Sequence, residues 1–178
     1  MTGTVRPARP SEIDRLRQIE IGAGARFAEI GMPEIAHDEP PSAAVLGDRL
    51  RRDRLWVAVD DDDVPVGYVS AEIVGDLEHI EQLSVLPSHG RQGVGRRLVE
   101  HVCAWAQASG SSALTLSTFG DVAWNRPLYE KMGFRVLAEA ELTPALHEVR
   151  AAEAAAGLDV STRVFMRREL PAPGVVQP

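Results

Sequence analysis

A turn rich in glycine, between a predicted strand and a predicted helix, constrains this chain more than any other feature. The turn covers residues 87–96, reads PSHGRQGVGR, and directly follows the strand-like segment 80–86. Apolar residues then follow at helical spacing, at Val94, Leu98, Val102 and Trp105. Main-chain N–H groups at a helix N-terminus lack partners within the helix, and the helix dipole favours negative charge there. The pattern therefore predicts a phosphate-binding turn.

The charge of this turn differs from that of the whole chain. His89, Arg91, Arg96 and Arg97 lie in or beside it, with no acidic residue among them. The 178-residue chain has 19 Lys and Arg against 26 Asp and Glu, a formal net charge of −7. A local positive segment in an acidic chain indicates an anionic ligand, whereas the acidic balance overall argues against nucleic acid as a partner.

Length and composition indicate one soluble domain. The 44% hydrophobic and 25% charged residues are ordinary for a globular protein. We expect one domain over residues 1–170 and a flexible C-terminal tail over residues 171–178. No apolar run approaches the roughly 20 residues that span a bilayer, and no signal sequence is recognised, so we expect a cytoplasmic protein without membrane contact. The single Cys103 excludes an internal disulfide and favours a packed thiol, and no metal site is predicted.

Alternating strand-like and helix-like patterns predict an α/β fold. Predicted strands cover residues 5–8, 55–59, 64–74, 77–86, 113–118, 134–138 and 160–168. Predicted helices follow the capping residues Ser11, Ser42, Asn125 and Thr143, and the longest helix runs from residue 92 to residue 108. Residues 31–41 contain too many prolines and turn residues for a regular element.

Two common nucleotide-binding patterns do not fit the turn. Leu98 stands where a dinucleotide-binding fingerprint would have its third glycine after Gly93 and Gly95. The chain also has no GxxxxGK[ST] sequence, which a nucleotide-hydrolysing phosphate loop requires. A simpler alternative is a tight connection in which the glycines serve only geometry.

A second motif, residues 124–134, reads WNRPLYEKMGF and follows the turn after one predicted helix and one predicted strand. Together with LSVLP at residues 83–87 and the glycine turn, it resembles the GNAT superfamily of acyl-CoA-dependent N-acyltransferases. The resemblance is most specific over residues 78–135. It implies an α/β (α+β) fold with a mixed, mostly antiparallel sheet of about six to seven strands flanked by helices. The long connection 139–159 adds an extra helix between the last two strands.

The resemblance implies that the turn binds the pyrophosphate of coenzyme A through main-chain N–H groups. The matching residues are Arg91, Gln92, Gly93, Val94, Gly95 and Arg96. The arginines can add charge-assisted contacts. Gly90 is a departure, because relatives usually carry Gln or Arg at its position. The pantetheine arm of acetyl-CoA is expected beside Leu83, Ser84 and Val85, with the Val85 N–H near the thioester oxygen.

Tyr129 matches the family's general acid. Acyl transfer from a thioester to an amine expels a thiolate, and a phenol with a reference pKa of about 10 stays protonated and can donate to it. A packing role for Tyr129 is the alternative. Asn125 lies four residues before Tyr129, whereas many relatives carry an asparagine at the position of Val122. Asn125 could cap the short helix, contact the cofactor, or do both.

The base that deprotonates the amine is expected on the fourth predicted strand. Alternation places His79, Glu81, Leu83 and Val85 on one face of it. Relatives commonly carry an acidic residue near Glu81, which makes Glu81 the first candidate. His79, with a reference pKa near 6.5, is the second. The alternative is that both are solvated residues near the start of the strand.

The resemblance implies an N-acetyltransferase that moves an acetyl group from acetyl-CoA directly to a primary amine in a ternary complex. The acceptor is expected to be a small amine or a peptide N-terminus, and the first two helices, residues 31–41 and the connection between the last two strands should shape its pocket. The helix within residues 139–159 could cover that pocket or form a homodimer surface. A non-catalytic acyl-CoA sensor or interaction module of the same fold is the alternative, which a Tyr129 directed into the core would favour.

Overall fold

The structure is a computed structural model that describes residues 3–171. These residues form two compact units. Unit 1 comprises residues 3–71 and 82–102, and unit 2 comprises residues 72–81 and 103–171. The predicted tail, residues 171–178, lies outside the described residues except for Pro171. The single domain over residues 1–170 stays a prediction.

Seven strands form one sheet within the described part of the chain. They are β1 (Val5–Pro7), β2 (Leu55–Val59), β3 (Pro65–Val74), β4 (Leu77–Val85), β5 (Ala113–Phe119), β6 (Arg135–Val136) and β7 (Arg163–Glu169). Hydrogen bonds give the strand order β1-β2-β3-β4-β5-β7-β6. Strands β4 and β5 pair in parallel, while β1–β2, β2–β3, β5–β7 and β6–β7 pair antiparallel. The predicted mixed, mostly antiparallel sheet is therefore confirmed.

Six α-helices accompany the sheet within the same residues. They are α1 (Ile13–Gly24), α2 (Pro33–Ala36), α3 (Ala43–Arg51), α4 (Val94–Ala108), α5 (Arg126–Glu130) and α6 (Pro144–Ala155). Helix α6 lies between β6 and β7 along the chain, which confirms the predicted extra helix. Thr143 caps it as predicted, because its hydroxyl accepts a hydrogen bond from Leu146 N at 3.3 Å. Ser42 caps α3 in the same way through Val45 N, also at 3.3 Å.

Two local predictions in the first 40 residues are wrong. Ser11 does not cap α1, because Pro10–Glu12 form a 3-10 turn ahead of the helix. The Glu12 carboxylate is the group that accepts a main-chain hydrogen bond there, from Arg9 N at 2.7 Å. Residues 33–36, predicted as irregular, form α2, because a proline fits the first helical turn, where its missing N–H has no intrahelical partner to lose.

The core of unit 1 is formed by α1, α3, β2 and β3. Its buried cluster includes Leu16, Ile19, Leu46, Leu55, Val57 and Tyr68. Complete burial of a Leu or Ile side chain stabilises the fold by roughly 1.5–3 kcal/mol. The hydroxyl of Tyr68 donates a hydrogen bond to the carboxylate of Glu20 on α1. This bond satisfies the polar end of a phenol whose ring is fully enclosed.

Unit 2 is organised around the antiparallel pair β5–β7. Its register is continuous from Ala113 opposite Glu169 to Phe119 opposite Arg163. Helix α6 packs its buried Leu146 in one cluster with Phe165 of β7. The insertion is therefore an integral part of the core of this unit.

The parallel pairing of β4 with β5 is much shorter. It joins residues 78–80 of β4 to residues 114–116 of β5. Strand β4 continues to Val85 and β5 continues to Phe119. The pairing therefore stops well before either strand ends.

Candidate active site

The glycine turn leads from β4 into α4 through left-handed main-chain conformations. Pro87–His89 form a 3-10 turn, and Arg91 and Gly93 then have φ values of +59° and +76°. Glycine adopts this region freely, whereas a residue with a side chain loses roughly 1–2 kcal/mol there. Gly93 therefore meets a geometric requirement, while Arg91 is held in a strained conformation. The helix itself begins at Val94, two residues later than predicted.

The main chain of this turn presents a continuous row of unpaired donors. Within the described part of the chain, six successive N–H groups donate no hydrogen bond, those of Arg91, Gln92, Gly93, Val94, Gly95 and Arg96. The first main-chain bond of the helix runs from Arg97 N to Gly93 O at 3.0 Å. A helix start leaves four N–H groups unpaired, so the turn adds two more. Each residue predicted to bind pyrophosphate thus offers a main-chain donor.

Cationic side chains accompany these donors. Arg91 and Arg96 are exposed. Burial lowers the pKa of Arg26; the charge of Glu29 opposes this effect, and the charge of Arg91 adds to it, so the Arg26 guanidinium also lies near the turn. Arg97 Nη1 donates to Gln92 O at 3.1 Å, and Arg97 Nε is buried without a partner among the described residues. Sequence patterns do not reveal Arg26, because it belongs to a distant segment.

Strand β4 places two side chains against the start of α4. A Cβ added to Gly95 would lie 3.8 Å from Val85 Cγ2 and 3.9 Å from Leu83 Cδ2. Ser84, between them, is buried. Gly67 of β3 allows a close approach, because a Cβ at that position would lie 3.0 Å from the Ser84 carbonyl oxygen. Leu83 and Val85, two of the three residues predicted to contact pantetheine, therefore lie beside the start of α4.

Tyr129 lies in the short helix α5 of unit 2, with 9% of its surface exposed. Its ring meets the ring of Phe134 edge-on, with centroids 5.8 Å apart and planes at 70°. Burial raises the pKa of the Tyr129 hydroxyl to about 12, although the positive charge of Arg163 opposes this rise. No residue in the range 3–171 forms a hydrogen bond with that hydroxyl. The side chain thus combines a packed ring with an unengaged donor.

Asn125 occupies the N-cap position of α5 but does not cap the helix with its side chain. Its main-chain carbonyl accepts hydrogen bonds from Leu128 N at 2.9 Å and Tyr129 N at 3.2 Å. Pro127 has no N–H, and the Leu128 N–H is already engaged, so the usual donors to a capping side chain are missing. The predicted cap is therefore wrong, and contact of Asn125 with the cofactor stays a prediction.

The two candidate bases on β4 have opposite surroundings. His79 is 3% exposed, and its Nδ1 lies 2.9 Å from Thr115 Oγ1. Burial lowers the pKa of His79 to about 4; the charge of Glu81 opposes this effect, and that of Arg163 adds to it. His79 is therefore enclosed and neutral at pH 7, and the alternative of a solvated histidine is wrong. Glu81 is exposed, so its carboxylate is accessible to a ligand.

Arg163 is a residue of this region that sequence analysis missed. Its Nε donates to Ser117 Oγ and its Nη2 to Ser117 O, both at 3.2 Å. Nη2 also donates to Glu153 Oε1 at 2.7 Å. The guanidinium lies 4.8 Å from the centre of the Phe119 ring. These partners come from α6 and β5, so the tertiary fold brings them together, and an arginine at the start of the last strand is the sole sequence signal.

Neither a membrane-crossing helix nor a metal-binding cluster occurs between residues 3 and 171. No helix in that range combines the length and the apolar character that crossing a bilayer requires. No group of three or more His, Cys, Asp or Glu side chains is placed there to hold a metal ion. Cys103 is buried in α4, consistent with a packed thiol.

Known proteins resemble this chain in both sequence and fold. The model of the Acetyltransferase (GNAT) family matches residues 25–134. Over 98 residues, the chain is 35% identical to the peptidyl-lysine N-acetyltransferase YjaB of Salmonella typhimurium. That match covers 55% of this chain and 61% of the relative, so the chain spans less than two thirds of the relative's length.

Solved structures share the fold at low sequence identity. Rv2747 from Mycobacterium tuberculosis, in complex with CoA and NLQ, has a TM-score of 0.70 and 18% identity, over 94% of this chain and 99% of that chain. The ribosomal-protein-S18-alanine N-acetyltransferase from Escherichia coli has a TM-score of 0.66 and 16% identity, over 98% and 99%. Because the family match spans more than half of the sequence, the chain belongs to the acetyltransferase (GNAT) family.

Proposed function

We propose that this protein is an N-acetyltransferase that moves an acetyl group from acetyl-CoA directly to a primary amine in a ternary complex. The observation that carries the proposal is the row of six unpaired main-chain N–H groups at residues 91–96. A diphosphate accepts several such donors at once, and a helix N-terminus favours its charge. Had these donors been paired within the protein, the turn would have had little to offer a ligand.

Acetyl-CoA is proposed to bind with its pyrophosphate on the turn and its pantetheine arm along residues 83–85. The exposed Arg91 and Arg96 supply charge-assisted contacts beside the main-chain donors, and Arg26 adds a further positive charge. Gly90 lacks the side chain that relatives carry, so the main-chain donors carry more of the phosphate binding. Asn125 is proposed as an additional contact, because its side chain is not used to cap α5.

Tyr129 and Glu81 are proposed to act on the protons of the reaction. The amine nitrogen attacks the thioester carbonyl, a C–N bond forms, the C–S bond breaks, and sulfur leaves as a thiolate. Glu81 takes the proton that the amine nitrogen loses. With its pKa raised to about 12, Tyr129 holds its proton more tightly than a thiol of reference pKa about 8.5. We therefore propose that it donates a hydrogen bond to the leaving sulfur, while the Val85 N–H donates to the carbonyl oxygen.

The acceptor is proposed to be a primary amine on a protein or on a small molecule. The similar proteins include a peptidyl-lysine and a ribosomal-protein-alanine N-acetyltransferase. A cavity of about 490 Å³ in unit 1 lies within the region predicted to shape the acceptor pocket. It is lined by Asp14, Arg17, Gln18, Ile21, Glu39 and Pro40. Its two carboxylates outnumber the one guanidinium, that of Arg17, and the net negative charge suits a partner that carries ammonium groups.

Calorimetry with acetyl-CoA and an assay of thiol release test the proposal. The acceptor panel should contain a lysine peptide with a blocked N-terminus, a peptide with a free N-terminus and no lysine, and a polyamine. We expect saturable binding of acetyl-CoA and thiol release that depends on one class of acceptor. A protein that binds no acetyl-CoA would contradict the proposal.

A non-catalytic acyl-CoA sensor is the second candidate function. The burial of Tyr129 and its packing against Phe134 favour it, because they give the side chain a structural role that requires no reaction. A sensor would bind acetyl-CoA and release no thiol above the hydrolytic background with any acceptor. Turnover therefore distinguishes the two functions.

A further inference from the structure

We infer that Arg163 is a further residue of the transfer site and that the inserted helix α6 positions it through Glu153. The inference rests on the acetyl transfer proposed above. It gives α6, whose role the sequence leaves open, a defined task. That task is to hold a cation where negative charge develops during the reaction.

The orientation of β5 shows where the Arg163 guanidinium lies. Gly120 N donates to Thr162 O at 2.9 Å, so even-numbered residues of β5 direct their main-chain groups toward β7. Ser117 therefore directs its carbonyl to the opposite side, toward β4. The pairing of β5 with β4 ends at residue 116. The Ser117 carbonyl is therefore the first carbonyl of β5 that faces β4 without being paired to it. Arg163 Nη2 donates to it at 3.2 Å, so the side chain crosses β5 and reaches its unpaired edge.

The guanidinium is fixed in place and still has donors to offer. Its Nε and Nη2 make three hydrogen bonds to Ser117 and Glu153, and its plane rests near the ring of Phe119. Nη1 donates to none of the residues that the structure describes. It is also not an enclosed atom, unlike Glu153 Oε2, which is buried without a partner among those residues. An anchored guanidinium with Nη1 left over can bind an oxygen or sulfur of a ligand.

The charge of Arg163 reaches Tyr129 and His79, two of the three residues that sequence analysis connects with proton transfer. It opposes the rise that burial causes in the pKa of Tyr129, and it lowers the pKa of His79 on β4. During transfer, negative charge develops first on the carbonyl oxygen and then on the departing sulfur. A fixed cation in a partly buried site stabilises that charge without having to reorganise, and one such donor is worth about 10²–10³ in rate.

Glu153 holds this cation in position. Its ion pair with Arg163 is 2.7 Å long, and the two side chains are only 14% and 13% exposed, so solvent screens the pair little. Glu153 is carried by α6, which Leu146 anchors against Phe165. Without Glu153, the guanidinium would be held only by Ser117 and its contact with the Phe119 ring, and it could turn away from the edge of β5.

Steady-state kinetics of four variants test the inference: Arg163→Gln, Arg163→Lys, Glu153→Ala and the control Arg150→Gln. Arg150 is also carried by α6 and pairs with Glu139 at 2.8 Å, and it donates no hydrogen bond to Ser117 or Glu153. We expect Arg163→Gln to lower kcat about a hundredfold with the dissociation constant of acetyl-CoA within threefold of wild type. The kcat of Arg163→Lys should lie between those of wild type and Arg163→Gln. Glu153→Ala should lower kcat about tenfold, and the control should have the kcat of wild type.

Chemical rescue separates a role in the reaction from a role in folding. Arg163→Ala should regain at least tenfold in kcat with millimolar guanidinium, which a merely structural arginine would not allow. Wild-type kcat in Arg163→Gln or Glu153→Ala would overturn the inference, as would losses in kcat and in acetyl-CoA affinity of equal size without rescue. If wild-type protein neither binds acetyl-CoA nor releases thiol, the proposed function itself falls. An active wild type beside an equally active Arg163→Gln overturns this inference alone.

Discussion

Replacing Gly93 with alanine tests the phosphate turn at a position where main-chain conformation is the limiting factor. Gly93 has a φ of +76°, and the nearest atom to an added Cβ would be Arg97 Nη1 at 3.6 Å, an ordinary contact. The space at residue 93 therefore accepts an alanine side chain, but the left-handed main-chain conformation does not favour alanine. Holding alanine in that conformation lowers the free energy of unfolding by roughly 1–2 kcal/mol. The chain can relieve this strain by turning residue 93 to a negative φ, and that rotation redirects the N–H groups on either side of it.

We expect Gly93→Ala to weaken acetyl-CoA binding about ten- to hundredfold. A hydrogen bond to a charged group contributes about 1.5–3 kcal/mol, and each 1.4 kcal/mol is a factor of ten in affinity. Loss of one main-chain contact to the pyrophosphate therefore gives a change of that size. The strain itself should lower the melting temperature by a few degrees, since roughly 1 kcal/mol corresponds to about 2–4 °C in a chain of this length.

Gly110 offers a matched control just beyond the other end of α4. Its φ is +86°, and nothing lies within 4 Å of an added Cβ. Gly110→Ala should therefore lose similar stability and keep the wild-type affinity for acetyl-CoA. Calorimetric titration and thermal unfolding of both variants make the comparison. Wild-type affinity in Gly93→Ala, or an equal loss of affinity in both variants, would refute the reasoning.

Three further predictions concern residues of unit 2. Tyr129→Phe should lower kcat about a hundredfold and leave the calorimetric dissociation constant of acetyl-CoA unchanged, because its hydrogen bond to sulfur strengthens as the C–S bond breaks; equal losses in both would assign Tyr129 to packing. Glu81→Gln should be most impaired near neutral pH and approach wild type as the pH rises and the amine loses its proton unaided; pH–rate profiles that run parallel would contradict a base. His79, with its pKa lowered to about 4, takes up a proton in the unfolded chain below pH 6.5 while the folded chain does not, so stability should fall between pH 6.5 and 4 by up to about 3 kcal/mol. Urea unfolding at pH 7 and 4.5 should show a smaller decrease for His79→Gln than for wild type, and equal decreases would assign the acid sensitivity to other groups.

Short-range patterns explain why the fold and the family could be predicted. The glycine turn, the motif around Tyr129 and the caps at Ser42 and Thr143 each depend on residues within a few positions of one another. Ser11 shows how such a pattern fails, because Glu12 offers a competing oxygen one residue later and Pro10 favours a 3-10 turn. The catalytic and binding roles assigned to individual residues stay predictions.

Long-range register explains what the sequence could not provide. His79 and Thr115 are brought side by side by the parallel pairing of β4 with β5, which encloses a histidine that the sequence offered as a second candidate base or, alternatively, as a solvated residue. Arg163 meets Ser117 and Glu153 because β7 pairs with β5 and α6 folds back on the same unit. Alternation along one strand gives the face of a residue, but it does not give the partner that the neighbouring strand supplies.

At residue 91, the left-handed main-chain conformation makes thermal stability and ligand binding favour different residues. Glycine at residue 91 would relax the main chain and should raise the melting temperature, yet it would remove a guanidinium from the edge of the phosphate turn. Directed evolution for thermal tolerance alone should therefore discard this arginine, and evolution under demand for turnover should retain it.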